Sequence, residues 1–213
     1  MLLLPLATVV AALLSDAATD LPAPVRPAMR RPGKLLVVVD VQPTYERFMP
    51  FRVSEVLTHA NRFDEVLWLY NGEVCGLDEA HLQAWIVDHV GPSRAARLFQ
   101  KTRFYDKGYA FLRGWMDQGV DRATMVGTLR AMLLSRTSDA RDLPPEALAH
   151  LDTRGVATDE AFYVPDVTAR LVQWDGATIC GGAEHECLLE VELLAEAMGL
   201  TFTRHPPLIY AGT

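Results

Sequence analysis

The sequence predicts a three-layer α/β domain in which a mostly parallel, doubly wound sheet carries helices on both faces. The first observation is that short aliphatic runs alternate along the chain with longer segments of helical periodicity, which is the pattern of βαβ units. The second is the run Leu35–Val39, which consists only of leucine and β-branched valine. Such a run is typical of a strand buried on both faces, as the strands of parallel sheets are.

The remaining elements follow from hydrophobic periodicity and from turn residues such as Gly and Asn. Beyond the first strand, the predicted strands cover residues 66–70, 97–101, 177–180 and 200–204. The predicted helices cover residues 53–62, 78–90, 122–134 and 184–198. Because the strands alternate with helices, we expect them to pair in parallel.

Residues 1–33 are predicted to form an N-terminal helix and a Pro-rich connector, followed by one domain over residues 34–213. Apolar residues recur at helical spacing between positions 6 and 14, which favours an amphipathic helix docked on the domain. A cleaved signal peptide is the alternative, because the apolar run precedes small residues. The run has no cation before Arg26 and is too short to span a bilayer as a helix.

The composition excludes several classes of protein. Half of the 213 residues are hydrophobic and 22% are charged, which excludes a wholly disordered chain and a polytopic membrane protein. The net charge is −7, so no global basic field attracts nucleic acid, and we expect neither a nucleic-acid nor a membrane partner. An odd number of cysteines, three, fits a reducing compartment. We therefore predict a cytoplasmic location, with export through an N-terminal signal peptide as the alternative.

Three chemically complementary side chains lie near predicted strand ends. Asp40 follows the first strand, Lys101 ends the third, and Cys187 lies three residues into the helix after the fourth. Ligands of doubly wound sheets bind at the carboxyl ends of the strands, so we expect these groups to meet there. A thiol becomes a nucleophile when a base takes its proton or a cation stabilises the thiolate. Asp40 is the predicted base and Lys101 the predicted cation, with Lys107 as the competing lysine.

The turn before Cys187 has the composition of an oxyanion site. Gly181, Gly182 and Ala183 are small residues between the fourth strand and the predicted helix. Such residues let backbone N–H groups approach a developing negative charge, and the helix N-terminus adds its dipole. The turn therefore supports Cys187 as the nucleophile.

Three segments resemble the isochorismatase-like, or cysteine hydrolase, superfamily, which includes nicotinamidases, N-carbamoyl amide hydrolases and isochorismatases. The segments are Leu36-Val37-Val38-Val39-Asp40-Val41-Gln42, Phe99-Gln100-Lys101-Thr102-Arg103-Phe104, and Cys180-Gly181-Gly182-Ala183 leading to Cys187-Leu188. The resemblance extends over about residues 34–204 and implies a catalytic triad of Asp40, Lys101 and Cys187. It also implies a cis peptide bond between Gly182 and Ala183, and an oxyanion hole formed by the N–H groups of Ala183 and Cys187. A homo-oligomer is a further implication.

The chain departs from the pattern of this family at three places. The interval from Lys101 to Cys187 is longer than in the family, which predicts an insertion within about residues 104–170 that serves as a lid or an interface. Glu184 and Glu186 place carboxylates beside the nucleophile, where they oppose thiolate formation. Residues 71–75 contain no histidine, whereas the metal-dependent nicotinamidases of the family carry one after the second strand. We therefore expect no metal and no other cofactor.

The predicted function is a cysteine hydrolase that cleaves a carbon–nitrogen bond of a small amide, carbamoyl or imide substrate through a thioester intermediate. The candidate residues of the substrate pocket, which follow the strand ends or adjoin the nucleophile, are Gln42, Tyr45, Phe104, Tyr109 and His185. Two alternatives stay open. One is a catalytically silent scaffold that binds a small molecule or another protein. The other is an isochorismatase-type vinyl ether hydrolase that uses Asp40 as an acid.

Overall fold

In the computed structural model, which describes residues 34–107, 112–152 and 162–212, a five-stranded parallel sheet forms the centre of the fold. Its strands are β1 (Leu35–Val39), β2 (Glu65–Tyr70), β3 (Thr102–Asp106), β4 (Gly176–Gly181) and β5 (Thr201–Ile209). Their order across the sheet is β3-β2-β1-β4-β5, and all neighbouring strands are parallel. The chain thus winds from β1 towards one edge and from β4 towards the other, which confirms the predicted doubly wound sheet. The predicted helix and connector at 1–33 lie outside the described residues.

Helices connect the strands and cover the sheet. The α-helices are α1 (Val53–Ala60), α2 (Gly72–Cys75), α3 (Glu79–Val90), α4 (Pro92–Phe99), α5 (Arg113–Asp117), α6 (Arg122–Ser135), α7 (Pro145–Asp152), α8 (Pro165–Leu171) and α9 (Cys187–Ala197). Two 3-10 helices span Pro43–Phe48 and Ala140–Asp142. No helix within the described ranges is long and apolar enough to cross a membrane.

The side chains of β1 enter two separate cores because successive residues of a strand point to opposite faces of the sheet. Leu35, Val37 and Val39 pack in the core that contains the apolar residues of α6 to α9. Leu36 and Val38 pack in the core that contains those of α1, α3 and α4. All of these strand residues are buried, and each contributes roughly 1.5–3 kcal/mol to folding. The two cores confirm that helices cover both faces of the sheet, as a three-layer α/β fold requires.

The third strand differs most from its prediction. Residues 97–99 belong to α4, whose buried Leu98 faces a core, and β3 begins only at Thr102. The register pairs Val66 of β2 with Thr102 and Tyr70 with Asp106. The prediction of a strand over 97–101 was therefore wrong, because a short apolar helix and a short buried strand have similar sequence patterns.

Two further elements, a helix and a strand, have boundaries that differ from their predictions. Helix α9 begins at Cys187 rather than at residue 184, and residues 184–186 form a turn before it. Strand β5 continues to Ile209, and its pairing with β4 is interrupted by an irregularity between Arg204 and Ile209. The interruption contains two prolines, which cannot donate a hydrogen bond to a neighbouring strand. This extension brings the end of β5 to the carboxyl edge of the sheet.

The middle part of the chain, residues 104–170, contains the end of β3 and helices α5 to α8. Buried residues of these helices, such as Trp115 and Leu129, join the core on one face of the sheet. An antiparallel bridge between Asp139 and Phe162 connects two of its loops. Whether this part is an insertion relative to a family stays a prediction.

Candidate active site

Asp40 and Cys187 follow the two central strands, β1 and β4, which lie side by side. The connections after these strands leave towards opposite edges of the sheet, so their carboxyl ends form a topological switch point. Ligands of open α/β sheets bind in the crevice at such a point. The position thus favours a binding site between Asp40 and Cys187.

Asp40 directly follows β1, and hydrogen bonds hold its main chain on two sides. Its N–H donates to the carbonyl oxygen of Leu69 at 2.8 Å, and its own carbonyl oxygen accepts from the hydroxyl of Tyr210 at 2.9 Å. The residue is fully buried and has a φ of 51°, which is unusual for a residue other than glycine. Burial raises the pKa of the Asp40 carboxyl, and the neighbouring Lys107 ammonium opposes that effect.

Lys107 follows β3 at the same edge of the sheet and forms an ion pair with Asp40. Its Nζ lies 3.2 Å from Oδ2 of Asp40, and neither side chain has exposed surface. Burial alone would lower the pKa of Lys107, but Asp40 and Glu190 raise it above its ordinary value. Neither the Asp40 oxygens nor the Lys107 Nζ make a hydrogen bond of standard geometry to a described residue. The Asp40 oxygens, which line a cavity, therefore keep the capacity to accept a proton or a hydrogen bond.

The predicted role of Lys101 was wrong, and Lys107 takes its place beside Asp40. The Nζ of Lys101 donates to the carbonyl oxygens of Ala60 and Phe63 at 2.7 and 2.8 Å, at the C-terminus of α1. Because β3 starts after Lys101, this lysine lies at the amino end of the strand. A parallel strand carries its first and last residues to opposite edges of the sheet, so Lys101 cannot meet Asp40.

Cys187 is the first residue of α9, and the turn before it allows close approach to β1. Gly181 has a φ of 104°, and a Cβ atom there would collide with the backbone of Val39. The peptide bond between Gly182 and Ala183 is cis, as the resemblance implies. The thiol of Cys187 lies next to both the Asp40 carboxylate and the Lys107 ammonium.

The backbone at this turn offers N–H groups beside the thiol. The carbonyl oxygen of Ala183 accepts from the N–H groups of Glu186 and Leu188, both at 3.1 Å. Within the described residues, the N–H groups of Ala183 and Cys187 form no hydrogen bond. They are also near the N-terminus of α9, whose dipole favours negative charge. Both groups are thus available to an oxyanion.

The electrostatic environment keeps the Cys187 thiol protonated in the resting protein. Burial raises its pKa, and the carboxylates of Asp40 and Glu190 raise it further, while Lys107 opposes them. Glu190 lies one helical turn after Cys187, is almost completely buried, and accepts a hydrogen bond from the N–H of Leu112 at 2.8 Å. Cys187 is therefore not a preformed thiolate, and a base has to remove its proton.

The acidic residues of the turn have different surroundings. Glu184 is paired with Arg204, whose Nη1 lies 2.8 Å from its Oε1, and the same guanidinium holds the buried carboxylate of Glu192. Because of this pairing, the Glu184 charge is compensated locally. Glu186 lines the cavity beside the thiol.

A cavity of about 60 Å³ lies beside the thiol. Its lining residues among the described part of the chain are Asp40, Tyr45, Phe48, Ala183, Glu186, Cys187, Tyr210 and Gly212. Tyr45 is therefore a lining residue, as predicted from its position after the first strand. The sequence did not predict Phe48, Tyr210 and Gly212 as lining residues. Phe48 continues the segment of Tyr45, which was a local signal, whereas Tyr210 and Gly212 arrive only because β5 extends past its predicted end.

The other predicted pocket residues have different locations. Gln42 is completely buried and joins the ends of β1 and β2, because its side-chain oxygen accepts from the N–H of Asn71 at 2.8 Å. Phe104 packs against Trp68 in a core. The side chain of His185 is 80% exposed and does not line the cavity, so its prediction as a pocket residue was also wrong. Tyr109 lies outside the described residues.

Larger cavities lie elsewhere on the protein. One of about 440 Å³ lies at the amino edge of the sheet, and one of about 490 Å³ lies between α1 and α4. Neither is lined by a cysteine, a histidine or a carboxylate among the described residues. A third cavity, of about 380 Å³, is lined by Glu55, His59 and His205 but by no cysteine in the described part of the chain. The thiol and the buried ion pair, rather than the cavity volume, therefore identify the candidate site. No group of three or more potential metal-ligating side chains is assembled in the ranges that the structure describes.

Comparisons with protein-family models, with curated proteins and with solved structures found no significant match to this chain.

Proposed function

We propose that this chain is a cysteine hydrolase with an isochorismatase-like fold, acting on a carbon–nitrogen bond of a small amide, carbamoyl or imide substrate. The observation that carries the proposal is the meeting of the Asp40 carboxylate, the Lys107 ammonium and the Cys187 thiol beside one cavity. Burying an ion pair costs desolvation free energy that pairing only partly offsets. Perturbed titratable groups in a cleft are typical of active sites.

Asp40 acts as the general base. The Cys187 sulfur attacks the carbonyl carbon of the substrate while its proton passes to the Asp40 carboxylate beside it. Lys107 keeps Asp40 ionised before the attack, because its ammonium stabilises the carboxylate at 3.2 Å. The raised pKa of the thiol explains why a buried base is needed.

The turn before α9 stabilises the tetrahedral intermediate. The carbonyl oxygen of the substrate becomes an oxyanion when sulfur attacks, and the N–H groups of Ala183 and Cys187 donate hydrogen bonds to it. Such preorganised donors contribute strongly because they need no reorganisation during the reaction.

The intermediate then collapses with transfer of the same proton. The C–N bond breaks, its electron pair goes to nitrogen, and Asp40 returns the proton to the leaving amine. Cys187 is left as a thioester. Water attacks the thioester carbon, the C–S bond breaks, and the proton of the water reaches the sulfur through Asp40.

The cavity favours a compact acyl group. Its volume of about 60 Å³ has room for a small planar carbonyl group, and the rings of Tyr45, Phe48 and Tyr210 form part of its wall. Aromatic walls with a few polar groups are typical of small-molecule sites.

One observation favours a second candidate, a silent scaffold that binds a small molecule without turnover. Burial and the two carboxylates of Asp40 and Glu190 all raise the pKa of Cys187, which disfavours a spontaneous nucleophile. In that case ligands bind at the cavity but no thioester forms.

Product release by the wild type and by Cys187→Ala distinguishes the hydrolase from the silent scaffold. Amine or ammonia release from a panel of small amides, carbamoyl compounds and imides is measured for the wild type, for Cys187→Ala and for Cys180→Ala. The hydrolase requires a fall of at least about a thousandfold in Cys187→Ala. The control, Cys180→Ala, removes a buried thiol that does not line the cavity and retains turnover. Turnover that persists in Cys187→Ala, or a wild type that binds the panel without releasing product, contradicts the proposed chemistry.

A further inference from the structure

Tyr45 lines the cavity beside the Cys187 thiol. It lies on the 3-10 helix Pro43–Phe48, directly after β1 and Asp40. Its oxygen accepts a hydrogen bond from the thiol of Cys75, with 3.9 Å between Sγ and Oη. Within the described residues the hydroxyl makes no other hydrogen bond. Its proton is therefore available to a group in the cavity.

Asp40 offers polar atoms in the same cavity. Both of its carboxylate oxygens are buried and lack a hydrogen bond of standard geometry to a described residue. A bound water needs two to four polar partners and a space of about 10–15 Å³. The cavity of about 60 Å³ can hold a water beside a small acyl group.

Hydrolysis of the thioester requires a water beside Asp40 in the cavity. Asp40 gives its proton to the leaving amine, so the amine departs from a place next to Asp40. The water that replaces it must give a proton to the same carboxylate. Tyr45 follows Asp40 by five positions, lines the same cavity as Asp40 and Cys187, and is close enough to the Asp40 carboxylate to be affected by its charge.

We propose that Tyr45 is a further catalytic residue, which together with Asp40 binds the water that hydrolyses the thioester; this inference rests on the proposed function. The Tyr45 hydroxyl donates a hydrogen bond to the water oxygen, and Asp40 accepts one proton of the water. The second lone pair of the oxygen forms the bond to the carbonyl carbon. The C–S bond then breaks, its electron pair returns to sulfur, and the proton passes from Asp40 to the thiolate.

Tyr45 acts as a donor rather than as a base. Burial raises the pKa of its hydroxyl, and the charge of Asp40 raises it further. The phenol therefore stays protonated throughout the working range of the enzyme.

The test separates formation of the acyl-enzyme from its hydrolysis, with p-nitrophenyl acetate as the probe. The burst of nitrophenolate measures acetylation, the steady state measures hydrolysis of the acetyl-enzyme, and mass spectrometry of digested protein locates the acetyl group. In Tyr45→Phe we expect an unchanged burst rate, hydrolysis slowed about tenfold, and acetyl-Cys187 that accumulates. Hydroxylamine, a stronger nucleophile than water, restores turnover. Tyr163→Phe, which removes the hydroxyl of a buried tyrosine that does not line the cavity, behaves like the wild type.

The other outcomes overturn the inference in distinguishable ways. Equal hydrolysis rates in Tyr45→Phe and the wild type leave the proposed function standing and remove Tyr45 from the reaction. Equal losses in acetylation and hydrolysis mean that Tyr45 only supports the structure. A wild type that is not acetylated at Cys187 overturns the proposed function and the role of Tyr45 together.

Discussion

Replacing Lys107 by methionine removes the cation from the buried pair with Asp40 while keeping a side chain of similar length. The two charges are 3.2 Å apart and neither has exposed surface. At an effective dielectric constant of about 20, their attraction is about 5 kcal/mol. Breaking a buried pair by removing one partner costs about 3–5 kcal/mol, because a buried charge remains uncompensated. We expect the free energy of unfolding to fall by that amount at neutral pH.

The loss in Lys107→Met depends on pH with a defined sign. Without the ammonium, the pKa of Asp40 rises further above its unfolded value of about 3.9. The folded state then holds a proton that the unfolded state releases, so stability falls as the pH rises between these two pKa values. The loss is therefore largest above the folded-state pKa of Asp40 and shrinks as the pH falls through that pKa, where protonation neutralises the carboxylate.

Urea unfolding, followed by the fluorescence of buried Trp68 and Trp115, measures these changes. The matched control is Lys101→Met, which removes two hydrogen bonds to carbonyl oxygens from a half-buried lysine and costs about 1–2 kcal/mol. We expect only Lys107→Met to lose the proposed hydrolase activity. The double variant with Asp40→Asn and Lys107→Met recovers most of the stability, because neither charge remains. Equal losses in the two lysine variants, a loss that does not vary with pH, or no recovery in the double variant refutes the reasoning.

Two more predictions concern the nucleophile and its turn. Asp40→Asn removes a charge that raises the pKa of Cys187. We therefore expect iodoacetamide to alkylate that thiol faster at pH 7, although the proposed amide hydrolysis is lost. Slower alkylation contradicts this assignment of charges. Gly181→Ala introduces a Cβ that collides with the backbone of β1, so we expect its free energy of unfolding in urea to fall by more than about 2 kcal/mol. The control is Gly119→Ala, because Gly119 also has a positive φ but has open space around it. We expect the free energy of unfolding of this control to fall by only about 1 kcal/mol. Equal midpoints for the two glycine variants mean that close approach at Gly181 is unimportant.

The parts of the fold that local patterns specify could be predicted. The aliphatic run of β1 and the acidic residue after it placed Asp40 correctly at a strand end. The glycine turn before Cys187 was predicted from small residues, and it permits the positive φ of Gly181. Helix α9 was predicted three residues too long at its start, because residues 184–186 have no strong helix-stopping signal.

Local sequence patterns could not predict which lysine lies beside Asp40. The sequence of residues 97–101 fits a strand as well as it fits the end of a helix. If the strand begins after Lys101 instead of ending at it, this lysine lies at the opposite edge of the sheet. Only the register of β3 against β2, which pairs Thr102 with Val66, places Lys107 at the edge where Asp40 lies.

The sequence by itself determined the class of fold, the two central strands, and the positions of Asp40 and Cys187 after those strands. Strand burial and tight turns could be predicted because they depend on residues that are close along the chain. The tertiary structure decided which lysine joins them and which rings line the cavity. Those contacts depend on strand register and on the extension of β5, which arise from packing between residues far apart in sequence.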